Sequence, residues 1–132
     1  MNSSILSGLS LKQTKVVTFE DTAAHYGSGF LEVFATPALL ALMEHTSLLL
    51  VQQYMEPGFG TVGTTVNITH LKATPVGAKI ECISTLTEID GNSLTFNVVV
   101  SDETGKIGEG THSRFIIDEK RFMKKFQKEY PV

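Results

Sequence analysis

Thr36-Pro37-Ala38-Leu39-Leu40-Ala41-Leu42-Met43-Glu44-His45-Thr46-Ser47-Leu48-Leu49-Leu50-Val51 is the stretch on which the fold turns. It predicts a helix. Thr accepts hydrogen bonds well at an N-cap, Pro at the first helical position gives up no needed donor, and Leu, Ala and Met follow with no breaker. Pro57-Gly58 cannot continue a helix, so the end is expected near Tyr54. A helix this apolar is expected to be buried on most sides. Glu44 stands inside it, and a buried carboxylate is costly unless it is paired, protonated or used. Both a structural hydrogen-bonded role and a functional one are open to it.

Upstream of the helix, Val16, Val17 and Phe19 predict a strand over about 13–20, and 21–32, with Gly27, Ser28 and Gly29, reads as a long loop able to act as a lid. Downstream nearly everything reads as strand. In 62–70 the even positions Val62, Thr64, Val66, Ile68 and His70 fall on one face, so His70 ends an inward row. Pro75-Val76-Gly77 marks a turn before a strand over 79–89, and Asp90-Gly91-Asn92 a hairpin into 94–101, where Leu94, Phe96, Val98 and Val100 alternate inward. A second hairpin at 102–105 leads to a last strand over 106–117. The C-terminal 118–129 reads as a helix with Phe122, Met123 and Phe126 on one face and Arg121, Lys124, Lys125 and Lys128 largely on the other. The fold class is α+β in one domain over 1–132: an antiparallel sheet curved around one apolar helix.

Composition narrows the function. At 132 residues, 42% apolar and 19% charged, the chain suits a single core. Its net charge of −3 argues against a nucleic-acid partner, although five of the eleven basic residues crowd into the C-terminal helix. That basic strip is either a solvated face or an attraction for phosphate groups. Cys82 is the only cysteine, so no intrachain disulfide is expected and a cytoplasmic location is the default. The N-terminal residues lack a signal-like pattern, and no apolar run reaches the roughly 20 residues of a membrane span, so no membrane partner is expected. His25, His45 and His112 show no ligand spacing with one another or with Cys82, and no metal is expected.

Glu32-Val33-Phe34-Ala35-Thr36, Leu42-Met43-Glu44, Gly63-Thr64 through Thr69-His70, Ala73-Thr74-Pro75 with Gly77, and Ile107 through Arg114 together resemble the hotdog-fold acyl-CoA thioesterases, and most closely the fluoroacetyl-CoA thioesterase type. The resemblance covers about 30–117. It implies a hotdog fold, a homodimer with pairing into a tetramer left open, an acyl-CoA substrate and no cofactor. It also implies a catalytic set of Thr36, Glu44 and His70 at a dimer interface, with Gly63, Phe30 and Arg114 as substrate-binding candidates. In that family two lid phenylalanines help select the fluorinated acyl group. Phe30 matches one and Gly27 stands where the other would be, which implies a kept catalytic frame without fluorine selectivity.

The residue types suit the chemistry. Thioester hydrolysis needs an activated water or a covalent nucleophile, plus donors for the developing oxyanion. Glu44 suits either of the first two roles, and His70 and Thr36 suit orientation, proton supply or donation to the carbonyl. Thr36 also suits a plain helix cap, His70 a satisfied strand-end histidine, and Arg114 an ion pair inside the protein. Thr36 and Glu44 are eight residues apart, about 12 Å along one helix, so a site using both calls for two subunits. The alternatives are a hotdog hydratase or dehydratase, or a non-catalytic acyl-CoA or small-ligand binding protein on the same fold.

Overall fold

The structure, a computed structural model, describes residues 4–131. Five strands form one antiparallel sheet: β1 (Ser10–Val16), β2 (Phe59–His70), β3 (Lys79–Asp90), β4 (Ser93–Asp102) and β5 (Gly105–Asp118). Their order is β1-β3-β4-β5-β2, so β1 and β2 are the edges. The long helix α2 (Thr36–Gln52) touches all five strands, as it does when a sheet curls about it in the hotdog arrangement. The short helix α1 (Ala23–Tyr26) lies in the connection before α2, and α3 (Glu119–Glu129) follows β5.

The core follows from two periodicities. Ala38, Leu39, Leu42, Met43, Thr46, Ser47, Leu50 and Val51 share the buried side of α2 at helical spacing. Leu94, Phe96, Val98 and Val100 of β4 all point in and are fully buried, as the alternation predicts. Each buried Leu, Val or Phe contributes about 1.5–3 kcal/mol, and these two rows face each other. The polar members of the helix row are satisfied: Ser47 Oγ bonds the Met43 carbonyl at 2.8 Å and the Ser84 hydroxyl at 2.7 Å.

Four expectations need correction. First, the strand expected over 13–20 is β1 over Ser10–Val16, followed by a 3-10 turn at Phe19–Asp21. The expected loop over 21–32 contains α1, capped by Thr22, whose Oγ1 accepts the His25 N–H at 3.2 Å. Second, Thr36 is not the N-cap of α2. Ala35 holds that place, and the Thr36 hydroxyl is turned elsewhere.

Third, α2 is buried on less of its surface than its composition suggests. Ala41, His45 and Leu49 form an exposed stripe, flanked by half-buried Leu40, Glu44 and Leu48. Fourth, β2 does not keep one alternation. A bulge at Thr64 puts Gly63 opposite Arg114 and Thr65 opposite Ser113, so the inward set changes from Thr61 and Gly63 to Val66, Ile68 and His70. An extra residue in one strand reverses the facing of everything beyond it. The even-numbered row therefore holds from Val66 to His70 and fails at Val62 and Thr64.

At the C-terminus, Asp118 caps α3 by accepting the Arg121 N–H at 3.2 Å, so the helix begins one residue later than expected. Its apolar residues Phe122, Met123 and Phe126 remain exposed.

Candidate active site

The named residues fall into two groups along α2. At the start of the helix, Thr36 Oγ1 lies 2.8 Å from His70 Nδ1, joining the first turn of α2 to the last residue of β2. Pro37 fixes the helix start, and the bulge at Thr64 sets the phase that turns His70 inward. Phe34 meets the imidazole edge-on, with centroids 6.3 Å apart. His70 Nε2 is buried and has no hydrogen-bond partner in the chain. Burial pulls the imidazole below its usual pKa, against the opposing pull of the Lys72 backbone beside it. Thr36 and His70 line a cleft of about 350 Å³ with Phe34, Ser28 and Lys72.

The segment ahead of α2 forms one wall of that cleft. The Ala23 and Ala24 N–H groups bond the Val33 and Leu31 carbonyls, folding the chain back on itself. Phe30 sits at the tip with its side chain 100% exposed, touching nothing in its own chain. Gly27 caps α1 at φ 78°, a left-handed conformation that a phenylalanine adopts only with strain.

Glu44 lies about two turns further along α2, in a different setting. Its carboxylate is 3.7 Å from Arg114 Nη1, with side-chain exposure of 38% for Glu44 and 8% for Arg114. The carboxylate rests on the β2 backbone at Gly63, where an added Cβ would stand 2.7 Å from Glu44 Oε2. No larger residue fits Gly63 without moving Glu44. Arg114 is held within the protein: its Nε donates to Thr61 Oγ1 at 2.7 Å, its Nη2 to the Thr61 carbonyl at 3.1 Å, and its Nη1 lies 3.2 Å from His112 Nε2. Burial lowers the Arg114 pKa, and Glu44 opposes that shift.

His112 and Thr61 were not singled out as site residues by sequence reasoning. The legible signal was the alternation Gly110, His112, Arg114 along one strand, which puts both side chains on the face that α2 covers. The structure thus unites Thr36 with His70, and Glu44 with Gly63 and Arg114, but it does not bring Glu44 to the Thr36–His70 pair within one chain.

Known proteins give this geometry a family. The model of the fluoroacetyl-CoA-specific thioesterase family matches residues 17–120. A fluoroacetyl-CoA thioesterase from Streptantibioticus cattleyicolor is 36% identical over 103 residues, spanning 78% of this chain and 74% of that protein. A solved structure of the fluoroacetyl-CoA thioesterase superposes with a TM-score of 0.90 at 32% identity, over 97% of this chain and 99% of the other. A Thr-to-Ser variant of that enzyme, solved with acetyl-CoA, also gives 0.90 at 32% identity, over 96% and 100%. A hot-dog-like protein from Thermanaerovibrio acidaminovorans reaches 0.91 at 20% identity over 99% of this chain and 97% of its own, a likeness of fold alone. The chain belongs to the fluoroacetyl-CoA-specific thioesterase family.

Proposed function

We propose that this protein hydrolyses an acyl-CoA thioester to a carboxylate and free coenzyme A, using water and no cofactor. The observation that carries the reading is the 2.8 Å Thr36–His70 pair on the wall of a cleft, with His70 Nε2 unpartnered. Water attacks the thioester carbonyl as Glu44 takes its proton, the carbon–sulfur bond breaks, and the departing thiolate is protonated. With Glu44 as nucleophile, an acyl anhydride forms first and water then cleaves it. The Thr36–His70 pair polarises the carbonyl through the one hydrogen that their mutual bond leaves free, and Gly63 supports the carboxylate. Phe30 covers the acyl group. Arg114 acts on Glu44 instead of on the substrate: its side chain is 8% exposed, bonded to Thr61 and His112, and 3.7 Å from the carboxylate.

The working unit in this reading is a homodimer. β2 is a 12-residue edge strand, and an unpaired edge of that length is a template for another strand. The exposed stripe of α2 at Ala41, His45 and Leu49 gives a second copy an apolar surface to cover. Pairing of two copies supplies a partner's Glu44 to each Thr36–His70 cleft. With no ring at Gly27, the lid lacks one fluorine-selecting contact, and acetyl-CoA and fluoroacetyl-CoA are expected to be used within about tenfold of each other.

Free-thiol release from short, branched, aromatic and fluorinated acyl-CoAs tests the reading. Release that disappears in Glu44→Ala, with the variant still folded, supports it. No release across the panel, or full release by Glu44→Ala, overturns it.

A further inference from the structure

His112 is the one histidine that is almost wholly buried, at 1% exposure, and none of the proposed chemistry uses it directly. Its surroundings leave little freedom. Nδ1 lies 2.8 Å from the Thr65 carbonyl, just past the β2 bulge, and a carbonyl only accepts, so Nδ1 carries the proton. Nε2 lies 3.2 Å from Arg114 Nη1, and a guanidinium only donates, so Nε2 is the lone-pair nitrogen. Phe96 of β4 stacks on the ring at 6.0 Å between centroids and 26° between planes. The charged groups facing it are Arg114 from its own strand and Glu44 from α2. Both ring nitrogens are therefore assigned by their neighbours, and the tautomer is unique.

The same Arg114 Nη1 is the atom that reaches Glu44. That atom lies 3.2 Å from His112 Nε2 and 3.7 Å from Glu44 Oε2. The other contacts of the guanidinium are to Thr61 through Nε and Nη2, so His112 is the hydrogen-bond partner that holds the Nη1 corner, the one nearest Glu44. A proton on Nε2 removes the acceptor and sets a second cation against Arg114, so Nη1 loses the contact that holds it beside Glu44.

We propose that His112 is a positioning residue for Glu44: the neutral imidazole, anchored on the Thr65 carbonyl, orients Arg114 onto the carboxylate, and protonation of His112 disengages it. This rests on the reading of Glu44 as the reacting carboxylate. The direction of titration agrees with the geometry. Burial first, and then Arg114, hold His112 below its usual pKa, against the opposing effects of the Thr65 hydrogen bond and of Glu44. The device is therefore set at neutral pH and releases in acid.

The test compares pH profiles of kcat for acyl-CoA hydrolysis in the wild-type protein, His112→Phe and His112→Gln, beside Glu44→Ala. His112→Phe keeps a flat ring on Phe96 but accepts nothing from Arg114, and kcat is expected to fall by about tenfold to a hundredfold with little change in KM. His112→Gln restores an acceptor that does not titrate. It is expected to recover most of that loss and to lose one group from the acid limb of the profile. Nitrogen-15 NMR of the wild-type imidazole gives a second readout independent of any variant's folding. It should show His112 neutral with its proton on Nδ1, titrating below 6.5 in step with the acid limb. A proton on Nε2, a titration at or above 6.5, or a His112→Phe variant with the wild-type kcat and pH profile overturns the proposal. If Glu44→Ala is fully active, the reading of the reaction fails instead, whatever His112 does.

Discussion

The two ends of the α2 site differ in what their side chains have left to offer. Thr36 and His70 satisfy each other once and keep His70 Nε2 unpartnered beside a cleft. Arg114 and His112, by contrast, are nearly buried, bonded to each other and to the β2 residues Thr61 and Thr65. The first end is arranged to receive a ligand, and the second to hold one carboxylate in one place. Glu44 alone belongs to both descriptions, since it is fixed on one side by Arg114 and Gly63 and is open on the other. A reacting carboxylate needs that combination, because positioning lowers the barrier only if the group can still reach the substrate.

Substitutions sharpen the contrast, beginning with the residue shared by both ends. Glu44→Ala removes the proposed base or nucleophile and is expected to lower kcat by about 10²–10⁴-fold, measured as thiol release. Gly63→Ala comes next. The added methyl would stand 2.7 Å from Glu44 Oε2, so the carboxylate must shift, and a displacement on that scale costs about 10²-fold in rate. Thr36→Val removes the hydroxyl from His70 while keeping the shape, and about tenfold is expected from the lost hydrogen bond, with Thr36→Ser retaining most of the rate. If Gly63→Ala were silent while Thr36→Val was severe, the fixed end would be no more than scaffold.

The smallest expected effect is on stability. His70 and His112 both have folded-state pKa values lowered chiefly by burial. The unfolded chain, with histidines near 6.5, therefore binds more protons than the folded one just below that pH. Stability is expected to fall as pH drops through that window, with a Tm lower by a few degrees. His112→Gln should reduce the fall by removing one of the two groups. A Tm that rises on acidification from pH 7 to 6 contradicts the burial of these rings.

Legibility in the sequence followed the same divide. Periodicity gave the helix, the four strands after it and the inward row of β4, because Leu94, Phe96, Val98 and Val100 repeat one local rule. It failed where a non-local contact decides. Thr36 looks like a cap by local chemistry, yet its hydroxyl is claimed by a histidine 34 residues away. The β2 row broke at Thr64 because a bulge depends on the partner strand's register, which β2 alone does not encode. His112 is legible only in part: the β5 alternation sets it on one face with Arg114, but the Thr65 carbonyl that anchors it lies on β2, 47 residues away in sequence. Glu44 drew attention through its apolar surroundings, but the half-exposed setting of its side chain depends on how much of α2 the sheet leaves open.

The most direct measurement of the central claim uses mixed dimers. Glu44→Ala and His70→Ala chains carrying different tags are co-expressed, and the dimer bearing both tags is isolated. If each site takes Glu44 from one copy and Thr36 with His70 from the other, one of the two sites in that dimer is intact, and about half the wild-type rate returns although each parent alone is inactive. A mixed dimer as inactive as its parents would show that every site is built within one chain, and would contradict the account.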